Sequence, residues 1–208
     1  MSTITTADGK VTEFEYYLMD RVTKTTYPDG HATQSQYDKN GNTKTLVVPT
    51  PANHGFTYNG VNKVKAKTTP LDEVTTYSYD KDRRLIEIEL PSGQLISNTY
   101  SNGVLSKTAT PEADINYAYI NGNQLSAITE NSESLSYGYD GNLLTSIEYD
   151  GQLNAGIQQD YDNNFWLNSL SYAGKTTSLS YDNDGLLNGL NGFTINRHAQ
   201  HGLPTQIS

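Results

Sequence analysis

Nine tyrosines, Tyr16, Tyr37, Tyr58, Tyr79, Tyr100, Tyr119, Tyr139, Tyr161 and Tyr181, divide the chain at intervals of 21, 21, 21, 21, 19, 20, 22 and 20 residues. A fixed spacing of about twenty residues marks one supersecondary unit copied along the chain, and copied units stack on their neighbours. Whatever one interval folds into, the others must fold into as well, and each must fit the next.

Other marks keep the same period. Twelve residues after the first four tyrosines stand Pro28, Pro49, Pro70 and Pro91, and Pro111 follows Tyr100 by eleven. Six residues after the tyrosine an apolar side chain is usual: Val22, Val64, Leu85, Leu125, Leu167 and Leu187. Leu105 and Leu144 come one place early, as though a turn residue were missing. Three positions further on stand Leu46, Ile88, Ile128, Leu170 and Leu190, with Ile147 again one place early. Two residues before the tyrosine, Phe14, Phe56, Tyr77, Tyr117 and Tyr137 add a second aromatic, a habit broken by Ser35, Asn98, Gln159 and Leu179.

The local chemistry reads as two strands per repeat. An aromatic at the anchor and another two residues earlier share one face of an extended strand. Turn formers follow the anchor directly, as in Asp38-Lys39-Asn40-Gly41, Asn59-Gly60, Ser101-Asn102-Gly103, Asn121-Gly122, Asp140-Gly141 and Asp182-Asn183-Asp184-Gly185. Asn-Gly and Asp-Gly tolerate the positive φ that tight hairpins require. The next run, for example Arg84 to Leu90, is aliphatic with charges interspersed, and proline then ends it. Pro28-Asp29-Gly30 and Pro91-Ser92-Gly93 make the second turn. No stretch keeps apolar residues at helical spacing over ten or more positions. The expected fold is all-β: about ten consecutive antiparallel β-hairpins forming a curved repeat strip, with residues 1–208 as a single array.

Both ends fall out of phase with the unit. Ala7-Asp8-Gly9 lies 21 residues before Pro28-Asp29-Gly30, and its tyrosine is absent. At the other end His198 takes the anchor place after a short step of 17, followed by Gly202, Leu203 and Ile207. The array is therefore expected to be part of a longer one. Open strand edges and an apolar face make self-association as a homo-oligomer a further expectation.

Composition narrows the function classes. Only 35% of residues are hydrophobic, with four Phe and one Trp, so sixteen Tyr carry much of the aromatic burial. Tyr keeps its hydroxyl wet or paired, which suits thin sheets. With no Cys there is no disulfide, thiol nucleophile or thiolate metal site. A net charge of −9 disfavours nucleic acid and anionic membranes, which are bound through Lys and Arg. No apolar run approaches the length of a membrane span, and no leader pattern opens the sequence.

Candidate sites are outweighed by turn chemistry. Asp182-Asn183-Asp184-Gly185, Asp160 to Asn164 and Asp38 to Asn42 resemble calcium loops, yet the required Gly and Glu positions fail; after Asp38 they hold Thr43 and Pro49. His198 and His201 are three apart but lack a carboxylate cluster. His31 and His54 lie beside turns. No nucleophile elbow, phosphate loop or zinc-protease helix occurs. No catalytic, cofactor-binding or metal residue is therefore assigned, and no cofactor is expected; the nine tyrosines are the residues singled out, as structural repeat anchors. A competing reading makes them stacking platforms for sugars in an extracellular carbohydrate-binding or adhesion module, which needs the rings exposed in grooves.

The recurring shape, tyrosine, Asp or Asn, a Gly-containing turn, leucine and a Pro-x-Gly turn, is clearest in three places. These are Tyr37 to Gly41, Tyr79-Asp80 through Pro91-Ser92-Gly93, and Tyr181 to Leu187. It resembles the tyrosine-aspartate (YD) repeats of the Rhs family, as does the tail from Asp184 through Phe193 to Thr205. Asp is replaced after Tyr16, Tyr58, Tyr100 and Tyr119. The resemblance implies a hairpin strip wound into a hollow shell, which in the C components of Tc insecticidal toxins and in Rhs effectors encloses a C-terminal toxic domain, and which teneurins carry at cell surfaces. It further implies that the partners are the remaining repeats and an enclosed toxin or cargo domain, and that the chain is exported or displayed within a larger bacterial protein. The toxin-type members carry an autoproteolytic aspartate motif near the end of the core. Neither that motif nor a toxin domain stands in this sequence, so the chain is expected to be non-enzymatic. Size agrees: about twenty strands at about 4.8 Å make a strip on the order of 95 Å long, too short to close around a cargo domain.

Overall fold

The computed structural model describes residues 1–208 apart from Met19, Pro51, Ala199 and His201. The described residues form 21 β-strands and no helix. They fall into two units, one of Met1–Thr99 with Ala109–Pro111 and one of Tyr100–Thr108 with Glu112–Ser208.

In the first unit, β1 (Ser2–Thr5), β2 (Val11–Tyr17), β3 (Arg21–Thr26), β4 (Ala32–Tyr37), β5 (Thr43–Val48), β6 (Ala52–Tyr58), β7 (Val64–Thr68), β8 (Val74–Tyr79) and β9 (Leu85–Glu89) pair antiparallel, each with the next. The beginning of β10 (Leu95–Ser101) pairs with β9 through Leu95↔Glu89 and Ile96↔Ile88. β11 (Val104–Ala109) follows, and the second unit is itself a meander. It holds β12 (Asp114–Ile120), β13 (Gln124–Glu130), β14 (Glu133–Asp140), β15 (Leu143–Asp150), β16 (Ala155–Tyr161), β17 (Leu167–Tyr172), β18 (Lys175–Tyr181), β19 (Leu187–Leu190), β20 (Phe193–Arg197) and β21 (Pro204–Ile207). From β12 onward each strand again pairs antiparallel with the next.

The turns follow from sequence. In the first unit the N–H of Tyr27 donates to the His31 carbonyl (2.8 Å) and that of Gly30 to Tyr27 (2.9 Å), with Pro28 between them. Leu90, Gly93 and Gln94 repeat this at 2.9 and 2.8 Å around Pro91. Proline presets the φ of the second turn position, and the fourth is left-handed. Gly30 (φ +84°) and Gly93 (φ +81°) fill it freely, and Asp72 (φ +61°) does so after Pro70. In the second unit the second turns after β13, β17 and β19 have no proline and shrink to two residues, whereas residues 151–154 join β15 to β16. Ala173-Gly174 and Asn191-Gly192 have both φ positive, matching the twist of their strands.

Among the described residues none is buried; strand side chains are half-buried or exposed. Within each unit a strand side chain is covered by those of neighbouring strands.

Register sorts the two faces. The position two before each tyrosine pairs with the position nine after it: Phe14↔Thr25, Ser35↔Leu46, Phe56↔Lys67, Tyr77↔Ile88, Tyr117↔Ile128, Gln159↔Leu170 and Leu179↔Leu190. In the repeat of Tyr139, whose first turn is one residue shorter, Tyr137 pairs with Ile147. One face therefore gathers the aromatic and aliphatic marks. The other carries small and polar residues, for instance Ser134, Ser136 and Gly138 on β14 and Ser169 and Ser171 on β17.

Candidate functional site

The repeated feature of the molecule is the end of the hairpin at each tyrosine. Tyr16 pairs with Val22, Tyr37 with Thr43, Tyr58 with Val64, Tyr79 with Leu85, Tyr119 with Leu125, Tyr139 with Leu144, Tyr161 with Leu167 and Tyr181 with Leu187. The register shifts immediately before every one of these tyrosines. In the 21-residue repeats the residue seven after the tyrosine, Thr23, Lys44, Lys65 or Ile86, has no opposite number: it is the bulged residue.

The bulge explains an interval that simple alternation does not. Apolar marks six and nine residues after the tyrosine are an odd distance apart and would face opposite ways in a regular strand. One extra residue between them returns both to the tyrosine's face. The three-residue interval was the signal for the bulge in the sequence.

A bulge interrupts the ladder, and a phenol supplies a donor there. Tyr37 Oη donates to the Val22 carbonyl (2.7 Å), Tyr58 to Thr43 (2.8 Å), Tyr79 to Val64 (3.0 Å), Tyr139 to Leu125 (2.8 Å), Tyr161 to Leu144 (2.9 Å) and Tyr181 to Leu167 (2.9 Å). In every case the acceptor is the residue paired with the preceding tyrosine. Each ring thus ties its own hairpin to the one before. Tyr16 is 42% exposed, and its hydroxyl meets Ser2 Oγ at 2.9 Å; the other eight rings are half-buried. Burial raises the Tyr58 and Tyr79 phenols above their ordinary value of 10.0.

The last repeat differs from the expectation. Arg197, rather than His198, stands at the register shift, paired with Pro204. Its guanidinium does the phenol's work, donating from Nε (3.2 Å) and Nη2 (2.8 Å) to the Leu187 carbonyl and from Nη1 to that of Gly202 (2.9 Å). Spacing alone favoured the histidine as the nearer match to twenty; an arginine substituting for a phenol has no sequence signal at one occurrence.

The residue after the tyrosine caps the loop. The N–H of Asp38 donates to the Asn42 carbonyl (2.8 Å), while Asp38 Oδ1 accepts from the amides of Asn40 and Asn42, both 2.9 Å. Asn59 does the same for Val61 and Lys63, Asp162 for Asn164 and Trp166, and Asp182 for Asp184 and Leu186, at 2.8–3.0 Å. This is the physical content of the tyrosine–aspartate pair: an Asx side chain standing in for backbone acceptors in a tight loop. The Asn42 carboxamide hydrogen bond holds the Asp38 carboxyl below the usual range. For Asp80 the Arg84 amide does so first, joined by the Arg84 side chain at 2.7 Å. His198 occupies this capping place, its Nδ1 accepting from the Gln200 amide at 3.2 Å; His201 lies outside the described residues.

Successive loops also touch. Asn40 and Asn42 both donate from Nδ2 to Asn62 Oδ1 at 2.9 Å. Arg21 lies against Gly41, with its guanidinium 5.8 Å from the Tyr37 ring centroid. Trp166 lies on Gly185, and its ring centroid is 5.4 Å from that of Tyr181. Of the aspartates read as calcium candidates, Asp38, Asp162 and Asp182 spend oxygens on these caps, and Asp160 Oδ2 accepts from Ser169 Oγ at 2.9 Å. Among the described residues no three His, Asp or Glu side chains gather as a metal cluster.

These features define a class of protein: an array of bulged β-hairpins sealed along one rim by Asx-capped loops and phenol-to-carbonyl bonds. The Teneurin YD-shell family matches residues 1–208, and the chain belongs to that family. Its role is structural, as shell-forming repeats. Among solved structures it is similar to TcdB2-TccC3 without its hypervariable C-terminal region, at 14% identity and a TM-score of 0.69 over 95% of this chain and 14% of that one. TcdB2-TccC3-Cdc42 matches at 17% identity and a TM-score of 0.68 over 93% and 12%. The Photorhabdus luminescens Tc holotoxin pore matches at 16% identity and a TM-score of 0.53 over 97% and 12%. At these identities the likeness is one of fold, and the chain spans about one seventh or less of each of those chains. No curated protein matches.

Proposed function

We propose that this chain is a non-enzymatic stretch of wall in a longer YD-repeat array, and that the assembled shell encloses or presents a cargo domain. The nine tyrosines act as its structural anchors. One observation carries the reading: the phenol-to-carbonyl bonds always run to the preceding hairpin, so the tyrosines serve continuity of the array. Family membership over all 208 residues supports the same view, as does the small share of the Tc toxin chains that the repeats cover. A cargo for the shell is suggested by the toxin relatives.

The saccharide reading requires rings free to stack and hydroxyls free to bond. Six of the hydroxyls are already committed to backbone carbonyls, and eight of the rings are half-buried. The structural role is therefore preferred. Limited proteolysis of the full-length parent protein tests it. A cargo domain inside the shell resists cleavage until the shell is breached by rung substitutions such as Tyr58→Ala with Tyr79→Ala. Cargo cut equally fast with intact and breached walls would overturn encapsulation.

A further inference from the structure

The second unit has an uncovered apolar face and a shortage of positive charge. Its apolar side chains run in cross-strand rows: Tyr117, Ile128, Leu135 and Tyr149 in one, Tyr137, Ile147, Ile157 and Tyr172 in the next. None of these is buried, and Tyr172 is 56% exposed. Contiguous apolar surface of this kind marks an interaction site.

Charge selects the occupant. The first unit is nearly balanced, with eleven Lys or Arg against twelve Asp or Glu. The second has Lys107, Lys175 and Arg197 against eleven acids, a net charge of −8. Lys107 is held by Asp114 at 2.7 Å, and the Arg197 guanidinium is spent on backbone carbonyls. Three cations thus stand among eleven carboxylates in this unit.

Two of them border the apolar rows. Glu130 and Glu133 stand directly opposite each other across the β13–β14 pair, an arrangement of like charges that destabilises a sheet. They line a hollow of about 140 Å³ whose other walls are Ile128, Ser134, Leu135 and Tyr149. The Tyr149 phenol bonds to Glu133. Aliphatic and aromatic walls ending in two carboxylates match the stem and head of an arginine or lysine side chain, whose methylenes lie on apolar surface while the charge stays at the rim.

We propose that the apolar face of the second unit, entered at the Glu130–Glu133 hollow, receives a cationic, apolar polypeptide segment. This deepens the shell reading and rests on it, giving the enclosed or presented partner a chemistry: basic side chains interleaved with aliphatic ones. Apolar area supplies the holding energy, and the acidic surround selects the sign of charge and speeds encounter.

The test uses the 208-residue chain and three labelled peptides of equal length, one of Arg and Leu, one of Glu and Leu, and one of Arg and Ser, followed by fluorescence anisotropy. The Arg–Leu peptide is expected to bind, added salt to weaken it, and E130Q/E133Q to weaken it about five- to tenfold, as loss of charge complementarity does. The double variant removes a like-charge pair, so its melting temperature should not fall, which separates loss of binding from loss of fold. Equal binding of the Glu–Leu or Arg–Ser peptide, or no binding of any, overturns the proposal. Proteolytic protection of the cargo in the parent protein is read separately, so a shell that encloses a cargo of other chemistry remains distinguishable.

Discussion

At Tyr79 the ring lies on the apolar face and its hydroxyl reaches the Val64 carbonyl, so one residue both covers surface and joins two hairpins. The two contributions separate by substitution. Tyr79→Phe keeps the ring and removes a hydrogen bond, a cost of about 1 kcal/mol. Tyr79→Ala removes both and should cost about 3 kcal/mol or more. Tyr17, 59% exposed and one place out of register, should lose no more than about 0.5 kcal/mol as Ala. Urea melts of the three variants give the order, and equal losses would remove the rung from the account. The same residues set an alkaline limit. A phenol raised above its ordinary value binds its proton more tightly in the folded state, so its contribution is whole below pH 10.0 and is lost as pH rises through the folded value. A phenolate also has no proton to give a carbonyl. The urea midpoint should hold steady toward neutral pH and fall once pH climbs above 10.0, and Tyr58→Phe with Tyr79→Phe should flatten that fall.

Each hairpin depends on the loop beside it. Gly185 has φ +78°, and an added methyl would stand 3.0 Å from Trp166 Cζ2, so the turn needs both the backbone freedom and the space. Gly185→Ala should therefore cost about 1–3 kcal/mol through strain. Trp166 is the only tryptophan, so its emission reports this loop in a denaturant titration without labelling. A wild-type midpoint would mean that the loop contact contributes nothing. The turns and the strand pairs were legible beforehand because Asn-Gly, Asp-Gly and Pro-x-Gly carry their conformations locally. The bulge was legible in principle, in the odd spacing of Leu85 and Ile88 or Leu125 and Ile128, yet simple alternation passes over it. Arg197 was not legible, because replacing a phenol by a guanidinium keeps only the ability to donate to a carbonyl.

On the scale of the whole chain, stability rests on contacts between neighbouring strands, since none of the described residues is buried. The charge is unevenly placed, with −8 of the −9 in the second unit, so self-repulsion acts chiefly there. Salt that screens exposed charges beyond about 8–10 Å should slow amide exchange in residues 112–208 more than in residues 1–99. Equal slowing in both would show that the carboxylates sit too far apart to matter.

The sequence by itself determined the unit, its length and its turn residues, because these follow from local backbone preference; the face taken beyond each bulge did not follow from a period of two along a strand. The tertiary structure decided where the phenols go. A hydroxyl finds its partner only when a bulge in one hairpin is brought beside the tyrosine of the next, and that distance is set by pairing between repeats rather than by any residue's own chemistry. It also decided that Glu130 faces Glu133 at the margin of an uncovered apolar surface, a juxtaposition that exists only once the strands are in register.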